Sequence, residues 1–345
     1  MQESLIHQSM SPSNIIILWT LEHSIAQIVE NGITYFLNFF SIPVKYVTIV
    51  LQAPVSCRKE DIFMKLIDLH VHSTASDGSC SPSEVVALAK DADLAAIALT
   101  DHDTVSGIDE ALDASAPLDL IVVPGVELSC IYKEKEIHIL GLFIDHKNPE
   151  LLDFLSTNAR KRSARNESML DSFRRDGFDL TMEDLTCGNP RTVITRAHFA
   201  RALLNKGYVK TVDQAFKKYL NPDCPYYRKR EIITPEESIT AINHAGGVAI
   251  LAHPCQYKFG WKETEEMISL LKNLGLFGVE CYHSSNNQYE SGKLRTIAKN
   301  NNLVITGGSD FHGAAKPDIL IGCGRGGLRV SSLYLDDLKS AMSRR

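Results

Sequence analysis

From Met64 onward, short apolar runs alternate with amphipathic stretches, and this alternation constrains the fold more than any other feature of the chain. Buried β-strands are predicted for KLIDLH, LAAIALT, DLIVVPGVELSC, EIHILGLFI, GVAILAH, LFGVECY and LVITGGSD. Helical patterns separate most of them. In SPSEVVALAKDA, Ser81 is the expected N-cap, with Pro82 at the first helical position and Glu84 completing a capping box. Such alternation predicts parallel strands in an α/β fold, and the number of units favours a closed or nearly closed barrel.

Histidine and carboxylate side chains recur where these strands end. In a barrel of parallel strands the carboxyl ends converge on one face, where barrel enzymes keep their chemistry. Six of the twelve histidines belong to this set, although one of them falls inside the strand EIHILGLFI. The candidate residues are His70, His72, Asp77, His102, Glu127, His138, His253, Asp310 and His312.

A cluster of this composition predicts a metal site. Packed together without a counter-charge, Asp77, Glu127 and Asp310 would repel one another and lose hydration. Mixed nitrogen and oxygen ligands suit zinc, manganese or iron(II), and they argue against calcium. His70 and His72 lie two residues apart on a strand, so both rings point to one face. Glu127 has two oxygens with which to bridge ions, and nine candidate ligands are about right for two or three ions.

The segment 147–232 breaks the strand–helix rhythm and predicts a small helical domain inserted into the barrel. Its charge also differs from that of the chain. Residues 150–232 contain 16 Lys and Arg against 11 Asp and Glu, whereas the whole chain has a net charge of −6. The insertion is therefore basic and the remaining barrel acidic.

The basic insertion supplies candidates for phosphate binding. Arg162 and Arg165 are three apart on a predicted helix and share a face. Arg196 and His198 lie in a second helical stretch, and Arg191 is a weaker candidate. Guanidinium groups bind phosphate through paired hydrogen bonds, so we expect these side chains to hold a substrate phosphate beside the metals. The alternative is a solvated helix face.

Residues 1–63 form an apolar N-terminal extension of uncertain status. Glu22, Glu30 and Pro43 interrupt the apolar run, so no clean stretch of about 20 residues predicts a transmembrane helix. A secretory signal is also poorly supported. Two alternatives stay open: translation begins at Met64, or the segment is a membrane-associating or docking extension. No candidate catalytic residue lies in it.

The bulk composition excludes some classes of function. A net charge of −6 does not fit a protein that binds duplex DNA through its overall charge. The eight cysteines form no C-x-x-C pair, which argues against a zinc ribbon. Scattered single cysteines are typical of reduced thiols in a cytosolic protein, so we expect a cytoplasmic location.

The motifs DLHVHSTASDG, ALTDHDTVSG, VPGVELS, EIHILG, AILAHP and GGSDFHG resemble, in order, those of the PHP (polymerase and histidinol phosphatase) superfamily. The stretches ARKRSARN and TRAHFARALLNKG resemble the helical insertion of its nucleoside-3′,5′-bisphosphate phosphatase and 5′→3′ exoribonuclease branch. This resemblance implies a distorted (β/α)7 TIM-like barrel formed by residues 64–146 and 233–345, with 147–232 as a substrate cap. It also implies a trinuclear metal site whose ligands are the nine residues given above.

The resemblance implies a metal-dependent phosphoesterase in which a metal-activated hydroxide attacks phosphorus. The expected substrate is a small nucleotide or a 5′-phosphorylated RNA end, and manganese is the first expectation for the metal, with zinc or iron as alternatives. Two further carboxylates, Asp68 and Asp101, are predicted to orient histidines, although for Asp68 a structural hydrogen-bonding role is the favoured alternative. Direct roles in catalysis are assigned to Glu127, His253, Asp310 and His312.

Two other functions remain as alternatives. One is a phosphatase of another small phosphomonoester such as histidinol phosphate, against which the helical insertion argues. The other is a metal-binding module without catalysis, which substituted ligands would favour. Outside the pattern, His244 and His283 are interpreted as ordinary surface or core histidines. Glu280 also ends a strand, and two roles stay open for it: it lines the pocket, or it packs or orients other residues.

Overall fold

The computed structural model describes residues 65–186, 193–228 and 233–345, together with three strands near the amino terminus. The chain divides into two compact units, Met1–Ile62 and Phe63–Arg345. The first contains an antiparallel sheet in the order β1-β2-β3, formed by β1 (Ile15–Trp19), β2 (Ile25–Glu30) and β3 (Ile33–Asn38). The rest of residues 1–64 lies outside the described residues, so both alternatives for this extension remain predictions.

The second unit is built on a seven-stranded sheet in the order β10-β9-β8-β7-β6-β5-β4. Pairing is parallel between β4 and β5, β5 and β6, β8 and β9, and β9 and β10. The strands are β4 (Leu66–Val71), β5 (Leu94–Leu99), β6 (Ile121–Tyr132), β7 (Lys135–Leu142), β8 (Val248–Leu251), β9 (Gly278–His283) and β10 (Val304–Gly308).

Strand β7 is antiparallel to both of its neighbours, which differs from the parallel arrangement that the alternation predicts. The cause is a two-residue hairpin turn between β6 and β7. Lys133 and Glu134 have φ angles of 44° and 66°, as a tight hairpin with the twist of the strands requires. In the hairpin, Ser129 pairs with His138. His138 therefore lies at the same end of the barrel as Glu127, which precedes Ser129 by two residues on β6.

The sheet curls until its two edges meet. Beyond β10, the amide of Asp310 donates to the carbonyl of His70 at 2.9 Å, and the amide of His72 donates to the carbonyl of Phe311 at 2.9 Å. Close approach requires glycine here, because a Cβ on Gly308 would lie 2.3 Å from the Cβ of His70. The predicted nearly closed barrel is confirmed.

Ten α-helices cover the described part of the second unit, and the Ser81–Glu84 capping box predicted for the first is confirmed by hydrogen bonds in both directions. Short turns of other helix types occur at Phe216–Leu220, Pro254–Tyr257 and Gly313–Ala315. The helices are α1 (Pro82–Asp91), α2 (Ile108–Ser115), α3 (Pro149–Arg175), α4 (Met182–Thr186), α5 (Arg196–Asn205), α6 (Val212–Ala215), α7 (Pro235–His244), α8 (Trp261–Asn273), α9 (Gln288–Asn300) and α10 (Leu333–Met342).

Helices α3 to α6 have an apolar cluster of their own. Phe173 lies at its centre, fully buried, and stacks on Tyr226 with ring centroids 3.9 Å apart. Phe199 and Leu203 of α5 belong to the same cluster. The barrel core is made instead by aliphatic residues of the strands and of the helices that flank them. Among the described residues, none of the helices combines the length and the apolar character needed to cross a bilayer.

Candidate metal centre and phosphate pocket

Glu127, at the end of the parallel part of β6, is the centre of the site. Its Oε1 lies 2.8 Å from Nδ1 of His138 and 2.9 Å from Nε2 of His253. Its Oε2 lies 3.3 Å from Nε2 of His70 and 3.2 Å from Nε2 of His72. The side chain is fully buried, so strands from around the barrel all deliver a ring nitrogen to one carboxylate.

Two further carboxylates lie at the edge of this group. Asp77 Oδ1 is 3.2 Å from Nε2 of His312, and Asp77 Oδ2 is 3.9 Å from Nε2 of His102. Asp310 Oδ1 is 3.4 Å from Nε2 of His72. The loops after β4 and β10 therefore complete the cluster that begins on the strands.

Sets of these side chains are spaced as ligands of a common cation. In four sets, the potential ligand atoms lie within 4.8 Å of one another. Ligands about 2.0–2.2 Å from one ion on opposite sides are about 4.4 Å apart, so the spacing fits. Together the sets contain the nine predicted residues: His72, Asp77, His102 and His312; His70, His72 and Asp310; His70, Glu127 and His253; and His102, Glu127 and His138.

The buried polar atoms of the cluster also fit cations. Asp77 Oδ1, Glu127 Oε2 and the Nδ1 atoms of His72, His102 and His253 are buried without a hydrogen-bond partner in the protein. Unsatisfied buried lone pairs of this kind are costly unless a ligand takes them. The described residues thus form a His/Asp/Glu cluster that is able to bind metal ions.

The pKa values in the cluster follow burial and the charges of neighbouring groups. Burial tends to raise the pKa of the Glu127 carboxyl, but the fields of His102, His138 and His70 outweigh burial and hold this pKa well below its usual range. Burial lowers the pKa of His253 to about 4, so its ring is neutral at pH 7. Burial also tends to lower the pKa of His72 and of His138, but hydrogen bonds to Asp310 and Glu127 and the field of Glu127 raise each to about 9. These two rings therefore lose a proton when they bind a metal ion.

Glu280 on β9 orients two of the histidines. His70 Nδ1 donates to Glu280 Oε1 at 2.9 Å, and the backbone amide of His253 donates to Glu280 Oε2 at 2.7 Å. The side chain is fully buried. Because Nδ1 of His70 is paired with Glu280, Nε2 is the ring nitrogen that faces the cluster. Of the two roles considered from the sequence, the structure gives Glu280 the orienting one.

Asp68 and Asp101 support the site in a different way from the one predicted. Asp68 accepts from the backbone amides of Ser309 and Gly322, both at 2.7 Å. Asp101 accepts from the amide and hydroxyl of Ser73 at 2.8 and 2.7 Å. Each carboxylate thus fixes the backbone of a loop next to the ligands rather than a histidine ring, and for Asp68 this is the structural hydrogen-bonding role that the sequence favoured.

A pocket of about 290 Å³ opens between this cluster and the helices α3 and α5. One wall contains Asp77, His102, His138 and His312 of the barrel. The other is lined by four arginines of the helices and by Lys316 of the barrel: Arg162, Arg165, Arg196, Arg201 and Lys316. The predicted cluster and three of the four predicted phosphate-binding residues therefore border one space.

The arginines are not a solvated helix face. Arg162 and Arg165 are 5% and 9% exposed, and Arg162 forms an ion pair with Asp103, the residue after His102. Arg196 Nη2 lies 2.7 Å from Oε2 of Glu136. The alternative considered for these side chains is wrong, because packing of α3 and α5 over the barrel mouth buries them. Arg191 lies outside the described residues.

His198 has another role than phosphate binding. Its Nδ1 accepts from the amide of Thr195 at 3.0 Å, which completes the capping box of α5, and it does not line the pocket. Burial lowers its pKa to about 4, so the ring is neutral and offers no charge to an anion. Arg201 lies on the pocket wall instead and donates to the carbonyl of Asp77 at 3.2 Å. The sequence makes His198 a candidate because it lies two residues after Arg196, but the capping box of α5 explains a histidine at this position equally well.

The two histidines interpreted from the sequence as ordinary surface or core residues, His244 and His283, differ from each other. His244 is exposed at the end of α7, where Nδ1 is 2.8 Å from Glu150, as an ordinary surface histidine would be. His283 is buried, with Nε2 3.5 Å from Oδ2 of Asp310. Its Nδ1 accepts from the amide of Ser285, so Nε2 holds the proton and faces Asp310 as a donor. His283 therefore borders the cluster.

Comparison with known proteins identifies the family. The model of the PHP domain matches residues 68–222. A 3′,5′-nucleoside bisphosphate phosphatase from Chromobacterium violaceum is 36% identical over 253 residues, which cover 72% of this chain and 88% of that protein. The chain belongs to the PHP-domain family.

Other PHP-domain comparisons agree. The 5′-3′ exoribonuclease Rnm from Salmonella typhimurium is 33% identical over 249 residues, with 72% of this chain and 85% of that protein covered. A solved structure from Bifidobacterium adolescentis, assigned as a metal-dependent phosphoesterase, has a TM-score of 0.72 at 29% identity and covers 80% of this chain and 96% of that one. The predicted PHP resemblance and the enzyme class, hydrolysis of phosphate esters, are confirmed.

Proposed function

We propose that this PHP-domain chain hydrolyses phosphate esters of small nucleotides, with a nucleoside 3′,5′-bisphosphate or a 5′-phosphorylated RNA end as substrate. One observation carries the proposal: the His/Asp/Glu cluster and the arginines of α3 and α5 border the same pocket of about 290 Å³. A space of this size suits a single nucleotide rather than a duplex. The names of two relatives, a nucleoside bisphosphate phosphatase and an exoribonuclease, support the same choice.

The nine residues of the cluster are proposed to hold two or three divalent ions, with manganese as the first candidate and zinc or iron(II) as alternatives. A neutral imidazole offers one lone pair, so sets that share a histidine compete for it. The set of His72, Asp77, His102 and His312 shares nothing with the set of His70, Glu127 and His253. Two ions therefore fit without sharing, whereas a third ion at Glu127 and His138 would have to share His102 with the first set.

Divalent cations bound there supply Lewis acidity and a nucleophilic hydroxide at neutral pH. The chain contributes charge and position. Asp77, Glu127 and Asp310 hold the cluster together, while Glu280 and Asp68 fix the strands that carry the rings. We assign His253 and His312 as metal ligands, and coordination leaves their rings little freedom to transfer protons.

The helical segment 147–232 is proposed to act as the substrate cap. Arg162, Arg165, Arg196 and Arg201 reach from α3 and α5 into the pocket. Each of these guanidinium groups is positioned to bind a second phosphate of the substrate, which is bound but not hydrolysed. Asp103 and Glu136 already pair with two of the arginines, so a phosphate either joins or replaces these carboxylates.

The test is Mn²⁺-dependent hydrolysis of three substrates, measured as release of phosphate from adenosine 3′,5′-bisphosphate and from histidinol phosphate, and as release of mononucleotides from a short 5′-phosphorylated RNA. We expect release from the first, the third or both. Preference for histidinol phosphate would favour the other phosphatase, which the arginine wall does not explain. No release from a protein with metal bound would favour a metal-binding module without catalysis. The Glu127→Gln variant is the control for contaminating phosphatase.

A further inference from the structure

Lys316 is a cation of the pocket that stands apart from the arginines. It follows β10 and the turn Gly313–Ala315, and so belongs to the barrel rather than to the helices. Its Nζ lies 2.7 Å from Oδ2 of Asp310, and its side chain is 38% exposed where it lines the pocket. Lys316 is thus the lysine among the residues that line the pocket, and it is in direct contact with a proposed metal ligand.

Asp310 connects this ammonium to the cluster through its two oxygens. Oδ1 faces inward, 3.4 Å from Nε2 of His72 and 3.7 Å from Nε2 of His70. Oδ2 faces Lys316. A cation held by Oδ1 leaves the pair with Lys316 intact, so the ammonium stays within one carboxylate group of the cluster.

The loop that carries Lys316 is anchored on both sides. The amide of Ala314 donates to Oγ of Ser79 at 2.7 Å, and the amide of Ser79 donates to the carbonyl of His312 at 3.1 Å. Gly313 has a φ of 62° and would bring a Cβ to 2.2 Å from that Oγ. Only glycine permits this close approach. The ammonium is therefore placed by a fixed loop, as preorganised stabilisation of charge requires.

Lys316 also lies on a different side of the barrel mouth from Arg196. Arg196 pairs with Glu136 at the start of β7, and Lys316 follows β10. In the order β10-β9-β8-β7-β6-β5-β4, which closes on itself, β7 and β10 are nearly opposite. The metal cluster thus lies between a lysine on one rim and an arginine on the other.

We propose that Lys316 contacts the phosphoryl group being hydrolysed, whereas the arginines hold a second phosphate; this rests on the function proposed above. The reacting phosphorus must lie on the cluster, and the Lys316 ammonium pairs with the carboxylate of Asp310, which is itself a proposed ligand, whereas Arg196 pairs with Glu136, which is not. Negative charge on the non-bridging oxygens of a reacting phosphoryl group is stabilised by such a fixed cation. Lys316 is thus assigned as a catalytic residue by its contact with substrate.

The experiment compares two substrates at saturating Mn²⁺: adenosine 3′,5′-bisphosphate and adenosine 3′-monophosphate. For Lys316→Met we expect kcat/KM to fall by about 100-fold or more on both, by the same factor, with bound metal unchanged. Lys316→Arg should keep much of the activity. Arg196→Met should lose activity on the bisphosphate only. Lys293→Met, an exposed lysine of α9, is the matched control and should change neither.

Three results would overturn the proposal. Activity of Lys316→Met that returns at higher Mn²⁺, together with lower metal content, would mean that Lys316 acts only by placing Asp310. A loss confined to the bisphosphate would assign it to the second phosphate. A loss no larger than that of Lys293→Met would remove it from the site.

Failure of the proposed function is recognised separately, because the unmodified protein would then act on neither adenosine nucleotide and not on the short 5′-phosphorylated RNA either. In that case binding of inorganic phosphate to the Mn²⁺-loaded protein, measured by calorimetry, still decides the role of Lys316. We expect Lys316→Met to weaken this binding by about 10-fold, while equal binding would contradict the assignment.

Discussion

His70 and Glu280 meet at 2.9 Å through Nδ1 and Oε1, although 210 positions separate them along the chain. The contact joins β4 to β9 across the inside of the barrel and fixes which nitrogen of His70 faces the cluster. Glu280 also holds the backbone of His253, so one carboxylate positions two proposed ligands. The arrangement of the proposed metal ligands therefore depends on Glu280, which is not itself one of those ligands.

We expect Glu280→Gln to weaken metal binding more than it weakens folding. An amide can still accept from His253, but it no longer supplies the charge that favours a proton on Nδ1 of His70. The Kd for Mn²⁺ should rise by about 10- to 100-fold. Metal titration with activity as readout measures it, and recovery of activity at high Mn²⁺ would distinguish this role from a direct one. Exposed Glu265→Gln on α8 is the control.

Removal of metal should destabilise the second unit. The cluster buries three carboxylates and six histidines that have few other partners. Mn²⁺ at about 100 times its Kd should stabilise the folded state by about 2.7 kcal/mol, and the melting temperature should rise by several degrees. Calorimetric melting with chelator, Mn²⁺ or Ca²⁺ checks this. An equal rise with Ca²⁺ would contradict a mixed nitrogen and oxygen site.

Gly308→Ala should prevent the barrel from closing correctly. The added Cβ would lie 2.3 Å from Cβ and 2.5 Å from the amide nitrogen of His70. We expect the free energy of unfolding to fall by about 3 kcal/mol and metal affinity to fall with it. Gly292→Ala is the matched control, since it lies in α9 with open space around it. It should stabilise by about 0.5–1 kcal/mol, and urea unfolding measures both.

Phe173→Ala should disrupt the cap while the barrel keeps its metal. Phe173 is fully buried among the aromatic rings of α3 to α6, and its loss should cost about 3–5 kcal/mol. Release of phosphate from the bisphosphate should fall sharply, whereas metal content should be retained. The control is Leu152→Ala, which truncates a side chain of α3 that is 42% exposed. Loss of metal from Phe173→Ala would show that the two parts do not fold separately.

Deletion of residues 1–63 should leave metal content and phosphate release unchanged. The nine cluster residues, and the described residues that line the pocket, all belong to the unit Phe63–Arg345. Steady-state kinetics of the full chain and of the shortened chain starting at Met64 compare them directly. A shortened protein with a lower kcat at equal metal content would contradict this expectation.

The nine cluster residues could be predicted because the periodicity of the strands reveals where each strand ends, and side chains at such ends must meet. His138 differs from the others, because it lies on the antiparallel strand β7 rather than at the end of a parallel strand. Glu280 and Lys316 could not be assigned, because their roles depend on contacts with His70 and Asp310 that no local pattern encodes. The ion pairs of Arg162 and Arg196, and the capping role of His198, likewise depend on how α3 and α5 lie on the barrel.

The hairpin of β6 and β7 brings two proposed ligands together through a short loop. Glu127 and His138 are only 11 positions apart, whereas His70 and Glu280 are separated by 210 positions. Closing a short loop carries a small entropic penalty and is fast, so we expect this pair to form early as the chain folds. We therefore expect a divalent ion present during refolding to meet two of its ligands before the barrel is complete, and to speed the pairing of the later strands.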